Sequence, residues 1–251
     1  MRAISSSAHR FDEEPAYVLH AYPYKETSLI VEAFTGRFGR IALVAKGAKR
    51  PTSAVRGLLL PFQPLALSAS GKGEVKTLTR AEWRPGQALL RGGAVMLGYY
   101  VNELVMKLVP RDDAQPPLYS AYARTIEALA GLGDAGVALR RFELELLAHL
   151  GYGVNLTHCA RTQSPVVPER TYVWQAEKGL TELTDSQHGR DVVRIKGATL
   201  LALAEPETLA AQQANEAKPL MRAVLDFHLE QRSLASRQML RDIHALTESV
   251  A

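Results

Sequence analysis

Residues 17–46, YVLHAYPYKETSLIVEAFTGRFGRIALVAK, decide the fold of the N-terminal part. Three short runs rich in β-branched, aromatic and aliphatic residues lie at 17–22, 28–35 and 40–46, and turn residues that include Gly36 and Gly39 separate the last two. Runs of this length bounded by glycine predict β-strands. Two similar runs follow at 64–70 and 74–80, so we expect a β-rich segment that ends near Trp83.

This density of short strands predicts a small barrel, because closing the sheet removes its exposed edges. An OB-type barrel is one solution at this size, and an SH3-like barrel is the other. The open face of an OB barrel commonly takes oligonucleotides, so the fold itself points toward nucleic acid.

The apolar pattern changes after Trp83, where spacing at i, i+3 and i+4 predicts amphipathic helices. Pro116-Pro117 opens the second predicted helix, Asp134 caps the third, and Gly151 ends it in a left-handed conformation. We therefore predict an α+β protein. We expect a basic domain over 1–83, interpreted as an OB-fold DNA-binding domain, and a mainly helical domain over 84–251, with a small β-hairpin insertion in an irregular stretch at about 151–194.

Composition is typical of a globular chain, with 47% hydrophobic and 22% charged residues and a net charge of +4. The basic excess lies in residues 1–83, which hold 12 Lys and Arg against 7 Asp and Glu, whereas residues 84–251 hold 18 against 19. No apolar run approaches the roughly 18 residues of a spanning helix, and the N-terminus lacks a secretory pattern. Cys159 is the only cysteine, so no intramolecular disulfide forms and we expect a cytoplasmic protein.

A basic cluster is the strongest chemical feature of the sequence. Three cations occur in the run Lys46-Gly47-Ala48-Lys49-Arg50, and further cations precede and follow it. Such a cluster binds a phosphate backbone without regard to base sequence, and the alternative is a solvated surface. The predicted DNA-contacting residues are Arg37, Arg40, Lys46, Lys49, Arg50, Arg56, Lys72, Lys76 and Arg80, with the last three on a final hairpin that joins the loop in one positive face.

Four aromatic residues of the barrel, Tyr22, Tyr24, Phe34 and Phe38, are candidates for stacking on bases, although most rings in a small barrel belong to the core. The Gly71-Lys72-Gly73-Glu74 segment is interpreted as a basic hairpin turn, because a P-loop needs a wider glycine spacing and a Ser or Thr after its lysine.

The enzyme motifs GxSxG and HExxH are absent, so we predict a binding protein without catalytic residues or cofactors. Two alternatives remain open at this point. One is an RNA-binding OB protein. The other is a nucleic-acid enzyme in which Asp112-Asp113 bind Mg²⁺. His158-Cys159 lacks the second ligand pair of a zinc site, and His188 is the nearest later donor.

Arg140-Arg141 opens the third predicted helix, where positive charge opposes the helix dipole. This placement favours an acidic partner, and an apolar groove formed by Leu144, Leu147 and Tyr152 would accept a hydrophobic anchor beside it. Internal pairing of the arginines with Glu143 or Glu145 is the alternative.

The sequence resembles the RecO family of bacterial DNA repair proteins over nearly its whole length. The stretches that carry the resemblance are VLHAYPYKETSLIVEAFTGRFGRIALVAKGAKR (18–50), LLLPFQPL (58–65), GKGEVKTLTRAEW (71–83), YYVNELVMKLV (99–109), ALRRFELELLAHLGYGVNLTHCA (138–160) and HLEQRSLASRQML (228–240).

The resemblance implies an OB fold and a helical domain, binding to single- and double-stranded DNA, and annealing of complementary strands. It also implies RecR as a partner in loading RecA onto DNA coated by single-stranded-DNA-binding protein (SSB). We expect the acidic, phenylalanine-ended SSB tail at Arg140, Arg141, Leu144 and Tyr152. Many members carry a four-cysteine zinc module after LGYG, but this chain has only Cys159, so we expect no bound metal.

Overall fold

The computed structural model describes residues 10–184, 192–230 and 232–248. They form two compact units, one comprising the described residues up to Gly131 together with those from Leu234 onward, and the other comprising those within Leu132–Ser233. The first unit therefore contains helical residues as well as the barrel, and the domain boundary at residue 83 stays a prediction.

The chain begins with five strands, and its remainder is mainly helical. The strands are β1 (Arg10–Tyr24), β2 (Ser28–Thr35), β3 (Gly39–Ala45), β4 (Pro64–Ser70), β5 (Val75–Trp83), β6 (Thr171–Gln175), β7 (Gly179–Glu182) and β8 (Val193–Lys196). The α-helices are α1 (Gly93–Leu108), α2 (Pro116–Ala130), α3 (Ala135–His149), α4 (Gly197–Ala204), α5 (Ala211–Glu216), α6 (Lys218–His228) and α7 (Ala235–Glu248).

The first five strands form a closed barrel in the order β1-β2-β3-β5-β4, with β3 and β5 pairing in parallel. The predicted OB-type barrel is thereby confirmed. Its core is built by alternate residues of each strand, for example Val31 and Ala33 of β2 and Ile41 and Leu43 of β3. The residues between them, such as Glu32 and Ala42, point to the other face of the sheet and are also buried at this place.

The connection from β3 to β4 is a series of turns held against the barrel. Ala48 and Leu59 of this connection are buried in the barrel core. The Lys49 backbone N–H donates to the Thr27 carbonyl at 2.8 Å, which ties the connection to the β1–β2 turn. The basic residues of the connection therefore stand on an anchored segment.

Helices α1 and α2 cover part of the outer face of β1 and β2. Tyr17 and Phe34 pack edge-on against Tyr122, with ring centroids 5.1 and 5.7 Å away. The Tyr122 hydroxyl donates to Asn102 Oδ1 at 2.6 Å, and Asn102 Nδ2 donates to the Leu19 carbonyl at 2.8 Å. This buried network satisfies its polar groups and fixes the two helices on the barrel.

Helix α7 is attached to α1 through Glu103. The Glu103 carboxylate accepts hydrogen bonds from the backbone N–H groups of Ala235 and Ser236 at 2.9 Å and from the Ser236 hydroxyl at 2.6 Å. A carboxylate at a helix N-terminus satisfies orphan N–H groups and complements the helix dipole. Burial opposes ionisation, yet these hydrogen bonds hold the pKa of Glu103 below its ordinary value.

Replacing Glu103 with glutamine (E103Q) is expected to destabilise the first unit by about 1–2 kcal/mol, because the N-terminus of α7 loses a charged acceptor. A lowered folded-state pKa gives stabilisation that is complete above the ordinary glutamate pKa of 4.5 and is lost as the pH falls through the folded value. The difference in free energy of unfolding between wild type and E103Q, measured by chemical denaturation, should therefore be constant near neutral pH and shrink at acidic pH. The exposed α2 variant E127Q is the control, and an equal effect there would contradict the anchoring role.

The second unit combines the sheet β7-β6-β8 with helices α3 to α6. The predicted hairpin is confirmed as β6 and β7, and β8 adds a third strand that the sequence analysis did not identify. Asp134 accepts from the Val137 N–H at 2.9 Å and caps α3 as predicted, and Gly151 has φ +80 just beyond its end. His188 lies outside the described residues.

Across the residues that the structure describes, no helix combines the length and the apolar character needed to cross a membrane.

Candidate nucleic-acid interface

The basic connection after β3 presents its cations to solvent. Lys46, Lys49, Arg50 and Arg56 are all exposed, and turn hydrogen bonds such as Arg50 N–H to Gly47 carbonyl at 3.0 Å fix their backbone. None of the four forms an ion pair within residues 10–184, 192–230 and 232–248. Their mutual repulsion is therefore not offset by carboxylates of the described chain.

Two of these cations line a shallow groove of about 410 Å³ at one edge of the barrel. Lys46 and Arg50 form one side, Tyr24 and Lys25 of the β1–β2 turn form another, and Thr77 of β5 also contributes. The Lys25 ammonium lies 5.3 Å from the centroid of the Tyr24 ring. We call Lys25, Lys46 and Arg50 the groove cations.

Sequence analysis missed Lys25, because a single lysine in a turn carries no pattern of its own. Its position in the loop between the first two strands is the signal that was available, since that loop contributes to ligand binding in OB folds.

A row of outward-facing side chains runs across the barrel beside the groove cations. The strand register aligns Tyr22 with Ile30, Ile30 with Val44, and Val44 with Thr77. Tyr22 is 42% exposed, and the ring of exposed His20 lies 4.4 Å from it, centroid to centroid. We call this surface the open barrel face, and it carries ring and aliphatic groups beside unpaired cations.

Phe34 and Phe38, which were predicted as candidates for stacking on bases, pack against other rings of the protein. Phe34 is fully buried against α2, and Phe38 stacks on Phe11 at 4.9 Å. Tyr22 and Tyr24 are the two predicted rings that remain on the open barrel face.

The structure places the nine predicted cations in different environments. Lys76 is only 8% exposed, because parallel pairing with β3 encloses this part of β5. Arg80 forms ion pairs with Glu82 at 2.6 Å and with Glu13 at 3.8 Å. Lys72 is exposed in the turn between β4 and β5, as predicted for a basic hairpin turn.

Arg37 and Arg40 are engaged by buried carboxylates. Arg37 pairs with Glu14 through its side chain, and its backbone N–H donates to the same carboxylate at 2.7 Å. Arg40 lies 3.7 Å from Glu32, which also binds Arg111 of the segment between α1 and α2. These contacts fix the β2–β3 turn and the helical segment beside it, so they have a structural role that the sequence did not reveal.

The predicted acidic-partner site on α3 contains a buried cation. Arg140 is 5% exposed, and its Nη2 donates to the buried Glu143 at 2.6 Å, which is the internal pairing that the sequence left open. The other terminal nitrogen, Nη1, is buried and has no hydrogen-bond partner among the residues that the structure describes. Arg141 donates to the Glu207 carbonyl at 3.0 Å.

Lys218 of α6 is coupled electrostatically to Arg140. The pKa of Lys218 is lowered by partial burial and by the positive charges of Arg222 and Arg140. Lys218 therefore lies within electrostatic range of Arg140 and of the Glu143 carboxylate. It was missed because it is distant from Arg140 in sequence, and only the packing of α3 against α6 brings the two together.

Tyr152 does not belong to the same compact site. It lies beyond the C-terminal end of α3, where its ring stacks on His228 at 4.2 Å. Arg140 is in the second turn of α3, about 15 Å along the helix axis from the C-cap residue Leu150 at 1.5 Å per residue. Leu144 is half-buried between them, and Leu147 is buried. The four predicted tail-binding residues are thus spread along α3 and the segment that follows it.

The described residues hold no group of three or more His, Cys, Asp or Glu side chains placed to bind a metal. Cys159 is buried, and it belongs to no such group among the described residues. Asp113 accepts from Gln115 at 2.8 Å beside the start of α2, which is a local structural contact.

The fold and site together define an OB-barrel protein with an appended helical unit and a cationic, partly aromatic open face. The family model described as Recombination protein O N terminal matches residues 11–86, and the one described as Recombination protein O C terminal matches residues 91–238.

Relatives named DNA repair protein RecO match nearly the full chain. The relative from Aromatoleum aromaticum is 47% identical over 241 residues, covering 96% of this chain and 100% of its own. That from Ralstonia nicotianae is 45% identical over 238 residues, covering 95% and 87%. That from Dechloromonas aromatica is 43% identical over 240 residues, covering 94% and 98%. The chain belongs to the RecO family and has a role in DNA repair.

Proposed function

We propose that this protein is a non-enzymatic recombination mediator that binds single- and double-stranded DNA on the open barrel face. It anneals complementary strands and, with RecR, helps load RecA onto SSB-coated DNA in the cytoplasm at the nucleoid. The observation that carries the proposal is the groove lined by Lys25, Lys46 and Arg50, which have no acidic partner among the described residues. Family membership supports the repair role.

The groove cations suit a phosphate backbone. Each neutralised phosphate releases condensed counterions, so binding is strong at low salt and nearly independent of base sequence. A mediator needs this property, because it must act wherever damage has exposed a single strand.

An exposed ring, Tyr22, and a half-buried ring, Tyr24, lie beside the groove and suit unpaired bases. Tyr22 and Tyr24 present aromatic surface next to the groove cations, and stacking of this kind contributes about 1–3 kcal/mol per base. Duplex DNA offers phosphates but not free base faces, so the open barrel face should favour single strands at high salt. An RNA ligand would use the same contacts, and competition between DNA and RNA of equal length distinguishes the two.

Annealing with EDTA present and ATP omitted tests the proposal. Complementary strands coated with SSB should form duplex faster when the protein is added, because positioning of strands needs neither nucleotide hydrolysis nor a metal. The measurement is fluorescence energy transfer between labelled strands, and SSB-coated non-complementary strands are the control. Acceleration that appears only after Mg²⁺ is restored would favour the metal-dependent enzyme.

We further propose that the cations shared by α3 and α6 take the acidic C-terminal tail of SSB. Arg140 Nη1 is a buried donor without a described partner, and Lys218 of α6 is coupled electrostatically to both Arg140 and Arg222. A carboxylate bound there would satisfy the donor and relieve the repulsion among the cations. The half-buried Leu144 on α3 offers an apolar contact for the terminal phenylalanine.

The double variant K218A/R222A is expected to weaken binding of an SSB tail peptide about tenfold or more, because hydrogen bonds to charged groups contribute about 1.5–3 kcal/mol each. Fluorescence anisotropy of a labelled peptide measures this. The charge-matched control R194A/R232A removes exposed cations of the same unit and should leave the affinity unchanged. Normal peptide binding by K218A/R222A would place the tail elsewhere.

A further inference from the structure

The second unit contains an aromatic groove that the proposed function does not use. Its volume is about 320 Å³, and it lies between β6, the end of α6 and the segment after α3. Its aromatic walls are Tyr152, Trp174, Phe227 and His228, and the amide side chains of Asn155 and Gln175 also line it. Ring faces and amide groups occur together here in one concavity.

The rings form a fixed platform. Tyr152 and His228 stack at 4.2 Å with their planes 14° apart, and Phe227 meets His228 edge-on at 5.1 Å. Trp174 lies 6.1 Å from Phe227, also edge-on. Despite this packing, Tyr152 is 46% and Phe227 is 43% exposed. Exposed aromatic surface held rigidly beside a groove is characteristic of binding sites.

A larger polar concavity of about 1030 Å³ adjoins the aromatic groove and shares Ala160, Gln175 and Glu177 with it. Arg161 and Lys178 line this concavity, and neither forms an ion pair within the described part of the chain. Glu182, which also lines it, is paired with Arg170 at 2.9 Å. The charged groups of the polar concavity that form no ion pair within the described part of the chain are therefore two cations, Arg161 and Lys178, and one carboxylate, Glu177.

We propose that the aromatic groove holds an unpaired nucleobase, with the adjoining phosphate directed toward Arg161 and Lys178. This inference rests on the proposed function, because it assumes that the ligand of the protein is single-stranded DNA. The ring walls match a stacked base, the polar groups of Asn155 and Gln175 match its edge, and the cations of the adjoining concavity match its phosphate. The second unit then supplies a second point of contact for a strand, separate from the groove cations of the barrel.

An aromatic peptide is the competing occupant. It would use the ring walls equally well, but an acidic peptide would meet Glu177 at the junction of the two concavities. A nucleotide places its neutral base at the rings and its single negative charge farther along, beside Arg161 and Lys178. Charge complementarity therefore favours the nucleotide.

Tryptophan fluorescence tests the proposal directly. The chain has two tryptophans, so in a W83F variant Trp174 reports on the aromatic groove alone. At a salt concentration that weakens phosphate contacts, an oligothymidylate should quench Trp174, and an abasic oligonucleotide of equal length should not. In the same background, Y152A/F227A should weaken oligothymidylate binding about tenfold without altering the dependence of affinity on salt. Both replaced side chains are substantially exposed, and melting curves check that the variant folds.

Each outcome either supports or overturns the proposal that the aromatic groove binds a base. Quenching by the thymidylate alone supports a base in the groove. Equal quenching by the abasic strand, or no quenching at saturating oligonucleotide, overturns the proposal even if the barrel binds DNA. Quenching by a neutral aromatic peptide but not by the oligonucleotide identifies a protein partner and also overturns it. The K46A/R50A variant lacks two of the three groove cations, so the dependence of its DNA affinity on salt should change. The fluorescence of Trp174 should still be quenched when a strand is bound. Failure of DNA binding at the barrel and failure of base binding in the aromatic groove are therefore distinguishable.

Discussion

The triple variant K46A/K49A/R50A is expected to flatten the plot of log binding constant against log salt by roughly two to three units for single-stranded DNA. Each lost phosphate contact removes about 0.7–0.9 of slope, depending on whether the DNA is single- or double-stranded. The three side chains are exposed and have no acidic partner among the described residues, so their positive charge is available to phosphate. The loss should be nearly the same for oligonucleotides of different sequence.

Folding of this triple variant should barely change, because the removed groups make no ion pair within the described chain and the buried anchors of the loop, Ala48 and Leu59, are retained. The measurement is anisotropy of a labelled oligonucleotide at several salt concentrations, with melting curves of both proteins. If the variant melts normally and keeps the wild-type slope, the DNA lies elsewhere on the protein.

A charge-matched control separates local contact from net charge. R10A/R80A/R170A removes three cations that are exposed but already paired with Asp12, Glu82 and Glu182. Its slope should stay close to the wild-type value. Equal flattening by the two triple variants would mean that overall charge, and not the loop, governs binding.

The barrel could be predicted from sequence because its signals are local. Alternation of apolar residues and turn glycines marked β2 and β4 to the residue. Strand β1 was placed at 17–22 but runs from Arg10 to Tyr24, because its N-terminal half is held by pairing with β4, a partner distant in sequence. The third strand of the small sheet, β8, was missed for the same reason.

The candidate site was less predictable, because charge availability depends on neighbours that sequence spacing does not reveal. Arg37, Arg40 and Arg80 counted equally with Lys46 and Arg50 in the sequence, but Glu14, Glu32 and Glu13 lie against the first three. A cation count from sequence thus overestimates a binding surface whenever cross-strand carboxylates are present.

The Gly39→Ala variant is expected to destabilise the first unit by about 3–4 kcal/mol, near the upper end of single-substitution effects. Gly39 has φ +67, a conformation that costs an L-residue about 1–2 kcal/mol. A Cβ at this position would also lie 1.9 Å from the Asp113 carbonyl oxygen, so the backbone of the segment between α1 and α2 must move. That movement would strain the 2.9 Å hydrogen bond from the Asp112 N–H to the Arg40 carbonyl and the adjacent Glu32–Arg111 pair.

Gly47→Ala is the matched control for this variant. Its φ of +70 is nearly identical, but the nearest atom to an added Cβ is Arg50 Cδ at 3.7 Å, an ordinary contact with a flexible side chain. It should cost only the conformational penalty of about 1–2 kcal/mol, so the two variants should differ by about 2 kcal/mol. In a W174F background Trp83 reports on the barrel unit alone, and urea unfolding followed by its fluorescence measures both values. Equal destabilisation would show that the segment carrying Asp113 yields without cost and does not hold the β2–β3 turn in place.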